Sequence, residues 1–221
     1  PRALLLKDKL DDLLAEFDHL LDDKPFEPGD WKGELVLASS DYVAQYVLPD
    51  IASHLSSFAP QLDMAYRLWQ PDFLDKLHET GIHIASSIYP EQPKGVSSVK
   101  IGEDSSVCLM KASHPLAKQD HISVEDLISY SHIKVNGGGD KDSYTDLALR
   151  ELGYTRHVTF KVPFFSAAIN RLVSSEHLMV VPEHIAVNLA KHWDLAHKAL
   201  PLETPTHKYW LMWHPKYDTD P

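Results

Sequence analysis

The residues best placed for chemistry are Ser39, which ends the apolar run ELVLAS (34–39), and Ser40, Asp41 and Tyr42, which follow it and open a helical stripe. A loop joining the carboxyl end of a strand to a helix N-terminus is where α/β sheets place ligands, and its free N–H groups favour anions. Asp41 works against that use, because its carboxylate competes for the same N–H groups. The plain alternative is that Ser40 or Asp41 only caps the helix. Trp69 ends a second apolar run, and Phe164 and Phe165 occupy a later strand–helix turn. These rings suit the wall of an apolar cleft and equally suit ordinary core packing. Ser86 and Ser87 lie near the carboxyl end of a third run, IHIASSI (82–88). Asn136 leads into Gly137-Gly138-Gly139 between a strand and a helix. Without GxGxxG spacing or a P-loop lysine, this segment reads as a loop with N–H groups at a cleft mouth, not as a nucleotide site.

Other chemistries find little support. The chain has 14 histidines, but none in HxxxH or HExxH spacing, and a single cysteine, so no metal and no cofactor is expected. His78/His83 and His192/His197 are five apart, off a common helical face. No GxSxG elbow is present for Ser-His-Asp catalysis. Cys108, within VCLM, reads as a small buried hydrophobe, since a redox sensor needs exposure and a cationic neighbour.

Composition narrows the class further. A chain of 221 residues makes one large domain or two small ones, and 43% apolar residues suffice for a core. A net charge of −11 excludes nucleic-acid binding by phosphate neutralisation through this chain alone. A lone cysteine fits a reducing compartment. No apolar run approaches membrane-spanning length, so no membrane partner is expected. The sequence opens at Pro1 without Met, which points to a longer native N-terminus.

The elements that must position these residues follow from periodicity. Ala3, Leu6, Leu10, Leu13, Phe17 and Leu20 are spaced 3, 4, 3, 4, 3, the a/d seam of a coiled coil, with acids and Lys7 between them. A short helix of this kind needs a packed partner, either a second chain or its own domain. From Glu34 onward strands and helices alternate. Strands are expected at 34–39, 62–69 and 82–88, with helices at 42–58, where Pro49 starts or kinks a helix, and after Pro71, ending at Gly81. The stretch 89–98 reads as a loop. A second β-α-β-α-β unit spans about 105–200, with a capping box at Ser123/Asp126, and 208–214 adds one more strand. Two tandem α/β lobes ordinarily bind a ligand between them.

Four segments in this order resemble the LysR-type transcriptional regulators: VCLMKASHPLA (107–117), VPFFSAA (162–168), LMVVPEHIA (178–186) and WHPKYDTDP (213–221). PRA at the start resembles the end of a winged helix-turn-helix. His83 and Ser86 depart from the family's usual Asp-Leu-Ala-Ile-Gly strand, and Phe164 stands where one subgroup has His. The resemblance implies a linker helix followed by an effector-binding domain, truncated at both ends. The implied fold class is α/β, two Rossmann-like lobes as in type 2 periplasmic binding proteins, preceded by the linker. It implies a division into 1–24 for the linker, 33–104 plus 201–221 for lobe I, and 105–200 for lobe II. A small-molecule effector would sit between the lobes against Ser39, Ser40, Tyr42, Trp69, Ser86, Ser87, Asn136, Pro163, Phe164 and Phe165. Leu6, Leu10, Leu13, Phe17 and Leu20 would carry dimerisation, in a homodimer or homotetramer. DNA and RNA polymerase would be met only through the full-length protein, in the cytoplasm, and the chain would not be an enzyme. The rivals are a periplasmic-type solute-binding protein, for which an exposed seam has no use, and a two-lobed catalyst.

Overall fold

The computed structural model describes residues 9, 10, 13, 14, 17, 26–136 and 143–220. Of the seam positions, Ala3, Leu6 and Leu20 lie outside the described residues, as do the glycines at 137–139. Leu10, Leu13 and Phe17 are helical and 51%, 60% and 61% exposed, so these side chains do not pack into either lobe of their own chain.

The first lobe begins with β1 (Gly33–Ser39), whose Leu35, Val36 and Ala38 are buried. Helices α1 (Asp41–Tyr46) and α2 (Leu48–Phe58) follow, broken at Val47 with φ −120°. Proline donates no backbone hydrogen bond and is tolerated in a first turn, so Pro49 starts α2 and does not continue α1. Next come β2 (Leu62–Leu68), β3 (Ile84–Ile88) and β4 (Ser97–Asp104). The helix expected after Pro71 does not form. Two 3-10 turns, Pro71–Phe73 and Leu77–Glu79, take its place. So short a segment gains little from helical propensity, and packing of Leu77, Phe73 and Leu74 around Trp69 decides its shape. Gly81, at φ +66°, turns the chain into β3. β4 is a strand where a loop was expected over its first two residues. It is an edge strand with Val99 and Ile101 exposed, so it lacks a clean apolar alternation.

The second lobe holds β5 (Ser106–Lys111), α3 (Val124–Ser129), β6 (His132–Val135), α4 (Tyr144–Glu151), β7 (Val158–Val162), α5 (Phe165–Val173), β8 (Leu178–Pro182), α6 (Glu183–Ala190) and β9 (Leu195–Ala199). β9 is a second edge strand absent from the sequence reading. β10 (His207–Trp213) then returns to the first lobe. The two five-stranded sheets run β2-β1-β3-β10-β4 and β7-β6-β8-β5-β9. Each is mixed, not wholly parallel. β10 is antiparallel to β3 and β4, and β5 is antiparallel to β8 and β9. The chain therefore passes between the lobes twice, at 104–106 and at 199–207.

β5 shows why the second sheet is legible. Val107 and Leu109 enter one core with Ile133, Ile169 and Leu172, while Cys108 and Met110 enter another with Leu127 and Leu149. A strand covered on both faces reads as a continuous apolar run. Burial pushes the Cys108 thiol up to about 12, as expected of a packed thiol.

Both capping boxes of this lobe form: Ser123 with Asp126, and Ser143 with Asp146. The second belongs to a buried polar network. Arg156 Nε donates to Asp146 Oδ1 at 2.6 Å and its Nη2 to Ser143 Oγ at 3.0 Å. Burial alone would raise the Asp146 carboxyl, but Arg156 and Ser143 hold it well below the usual carboxylate range. His132 is fully buried, with Nε2 2.7 Å from the Leu127 carbonyl and Nδ1 3.4 Å from Arg156 Nη1. That geometry selects the neutral imidazole with its proton on Nε2.

Burial, helped by Arg156, lowers His132 to about 4 against an ordinary 6.5. The unfolded chain takes up this proton near pH 6.5 and the folded chain resists until about 4, so stability falls as pH drops through that window. His132 alone should cost about 2 kcal/mol at pH 5 relative to pH 7. Urea midpoints measured across this range test it, with His132→Gln expected to flatten the dependence.

Candidate functional site

A cleft of about 1100 Å³ opens between the lobes, at the carboxyl ends of β1, β2 and β3 on one side and of β6 and β8 on the other. Ser39, Ser40, Tyr42, Trp69, Ser86, Ser87, Pro163 and Phe165 all line it. Asn136 and Phe164 do not. The Asn136 N–H pairs with the Val162 carbonyl at 3.0 Å, extending the strand ladder. Phe164 is 43% exposed outside the cleft, while the adjacent Phe165 is buried. His83 also stays away from the cleft. Its Nδ1 accepts from the Val36 N–H at 2.9 Å, and burial lowers its pKa.

Each serine has a distinct setting. Ser39 Oγ and Ser86 Oγ share a hydrogen bond of 2.7 Å, which ties β1 to β3 at the cleft floor. Ser40 Oγ accepts from the Val43 N–H at 3.4 Å, so it caps α1, and its carbonyl accepts from the Tyr66 hydroxyl at 2.6 Å. Ser87 is half-buried in the lining, and its hydroxyl has no hydrogen-bond partner among the described residues.

Asp41 does more than compete for the N–H groups of its own helix. Its Oδ2 accepts from the Phe165 N–H at 2.6 Å, across the cleft, and so caps α5 of the opposite lobe. Burial raises the Asp41 carboxyl above its ordinary range, while the N–H groups of Phe165, Tyr42 and Asp41 pull it down. Tyr42 crosses with it. Its ring lies 5.6 Å from Phe165 and 5.9 Å from His184, and it belongs to the core of the second lobe.

Sequence reasoning missed a second carboxylate of this kind. Asp104, at the end of β4, accepts from the His184 N–H at 2.8 Å and lies 2.7 Å from His184 Nδ1. The Glu183 N–H donates to the Ser105 carbonyl at 2.9 Å, so the chain crossing caps α6 twice over. Pro182 marks the start of α6 in the sequence, but the partner acid lies 80 positions upstream, where no local pattern reaches it. His207 lines the far wall, 2.8 Å from Ser106 Oγ, with its pKa lowered by burial. The lining carries four carboxylates, Asp41, Glu103, Asp104 and Glu183, against one ammonium, Lys191.

Phe165 is committed to the fold as well as to the cleft wall. Phe165→Ala should lower unfolding free energy by about 3–5 kcal/mol, as for a large-to-small core change. Equilibrium denaturation checks this, and a loss under 1 kcal/mol would mean the ring is not part of the core.

Known proteins supply the context for this geometry. The transcriptional activator NagR of Ralstonia sp. is 26% identical over 186 residues, covering 84% of this chain and 62% of NagR. The chain thus spans about three fifths of that curated relative. The solved regulatory domain of MexT, a transcriptional activator of Pseudomonas aeruginosa, superimposes with a TM-score of 0.71 at 23% identity, covering 86% of this chain and 94% of that one. The effector-binding domain of QuiR, solved in complex with shikimate, gives 0.66 at 15% identity, covering 84% and 88%. These likenesses show the fold. Residues 28–221, both lobes and the cleft between them, match the LysR substrate binding domain, and the chain belongs to that family.

Proposed function

We propose that this chain is the ligand-sensing and dimerising part of a LysR-type transcriptional regulator, with a small-molecule effector bound between its lobes. The observation that carries the reading is the cleft itself: about 1100 Å³, walled by both lobes, with the Ser87 hydroxyl, which has no partner among the described residues, in its lining. That volume suits a small metabolite. The QuiR domain holding shikimate supports the same use of the fold. Ser39, Ser40, Tyr42, Trp69, Ser86, Ser87, Pro163 and Phe165 are the effector contacts in this reading. The lobes correspond to 33–104 plus 201–221 and to 105–200, with 1–24 as linker. An effector that binds one lobe arrangement better than another shifts the population toward it, and the linker passes the change to DNA-binding elements of the full-length protein and on to RNA polymerase. The setting is the cytoplasm, where such regulators meet DNA. A solute-binding receptor is not favoured, given the family and the exposed seam.

The reading is of a binder, not a catalyst. Ser106 and His207 form a hydroxyl–imidazole pair beside the cleft. Ser106 is buried outside the lining, however, and His207 has no carboxylate hydrogen-bonded to its other nitrogen among the described residues.

A thermal-shift screen of small metabolites identifies the effector, since a ligand of the folded state raises the melting temperature. Ser87→Ala should weaken the hit by roughly 1 kcal/mol, about fivefold, if the hydroxyl bonds it. It should leave the melting temperature of the free protein unchanged. A hit whose affinity ignores Ser87→Ala and Ser40→Ala alike would argue against binding in this cleft.

The exposed Leu10, Leu13 and Phe17 support a seam between two chains. Replacing Leu10 and Leu13 together by Asp should cost several kcal/mol of association, because charge would be buried unpaired. Light scattering should show the mass falling to that of a monomer. A dimer that survives the double change would sink the seam reading.

A further inference from the structure

The cleft faces two helix N-termini, those of α5 and α6, and both are already occupied by carboxylates. Asp41 fills the first, accepting the Phe165 N–H at 2.6 Å, where the N-cap residue Phe164 offers no side-chain cap of its own. Asp104 fills the second, accepting the His184 N–H at 2.8 Å and holding its imidazole at 2.7 Å. Exposed N–H groups at a helix N-terminus are the ordinary docking point for an anionic ligand in an α/β cleft. Here the chain's own acids take one such group at each helix, the N–H of Phe165 and that of His184. The rest of the lining adds Glu103 and Glu183 and returns only Lys191. The lining also holds Trp69, Ile51, Leu68, Ile88 and Val180, apolar surface suited to an uncharged body.

We infer that Asp41 sets the charge specificity of this cleft, turning it against carboxylates and toward neutral or cationic effectors with an apolar or aromatic body. Two effects act together. A ligand carboxylate near α5 meets a like charge, and the N–H that would have paid for its desolvation is already bonded. A neutral ligand loses neither. The inference rests on reading the cleft as the effector site.

The test is calorimetric titration of the whole chain at pH 7.5 with benzoate and its neutral isostere benzamide. The unaltered protein should bind benzamide about tenfold or more tighter than benzoate, a difference of one charge-assisted hydrogen bond. Asp41→Ala, which frees the Phe165 N–H and removes the charge, should narrow that ratio by about tenfold. Asp41→Asn keeps an acceptor for the N–H and serves if the alanine variant does not fold; it should narrow the ratio in the same direction. If the unaltered protein binds neither probe, benzoate binding gained by either variant still supports the inference. Benzoate binding as tight as benzamide in the unaltered protein overturns it, and so does a benzoate response that neither variant moves. A structure of the chain with benzamide bound separates the two failures. A probe seated outside the cleft sinks the cleft reading itself. A probe seated within it, with a ratio indifferent to Asp41, sinks only the charge specificity.

Discussion

The geometry of this molecule depends on one helix that belongs to one lobe and packs on the other. α1 starts at the carboxyl end of β1, yet Tyr42 is buried in the core of the second lobe, with Val43 and Tyr46 packed beside it. Tyr46 continues the contact by stacking on His192 at 5.8 Å. An apolar face must be covered, and here the covering surface lies across the cleft. The same helix lines the cleft through Tyr42 and Val43, so the contact that joins the lobes also forms part of the cleft wall. Asp41 adds direction to that contact, because a carboxylate on a helix N–H is specific in angle where ring packing is not.

That arrangement explains which parts of the structure the sequence makes legible. β1, β5 and β8 are apolar on both faces and read directly as buried strands. Helix starts with side-chain caps, Ser40 and Ser123, also read locally, because cap and N–H lie within three residues of each other. Of the edge strands, β2 and β7 read from their apolar residues, but β4 and β9 do not. Edges are wet, their side chains are mixed, and their existence is decided by the neighbour they pair with. The same holds for the turns at 71–79, where Trp69, a partner in space, overrides a helical pattern.

The site divides along the same line. Serines at strand ends and a phenylalanine at a strand–helix turn are visible from position alone, because the carboxyl edge of an α/β sheet is a fixed place. Phe164 and Phe165 could not be told apart by that argument. Consecutive residues at a turn face different ways, and only the packing shows that Phe165 takes the cleft and the core. The partners that set the electrostatics are 124 positions apart for Asp41 and Phe165, and 80 for Asp104 and His184. A charge that caps a distant helix has no signature near itself in the chain.

The two chain crossings complete the argument. Residues 104–106 and 199–207 are the covalent links between the lobes, and the first of them carries Asp104 onto α6. His207, at the end of the second crossing, bonds Ser106 just past the first. The crossings are therefore tied to each other and to a helix that lines the cleft. Asp41 joins the lobes differently: its contact with the Phe165 N–H is the more buried of the two and lies away from both crossings, so it links the lobes through space where Asp104 links them beside the chain itself. Breaking either contact would leave a carboxylate and an N–H unpaired, and that cost is greater where less water reaches them, at Asp41.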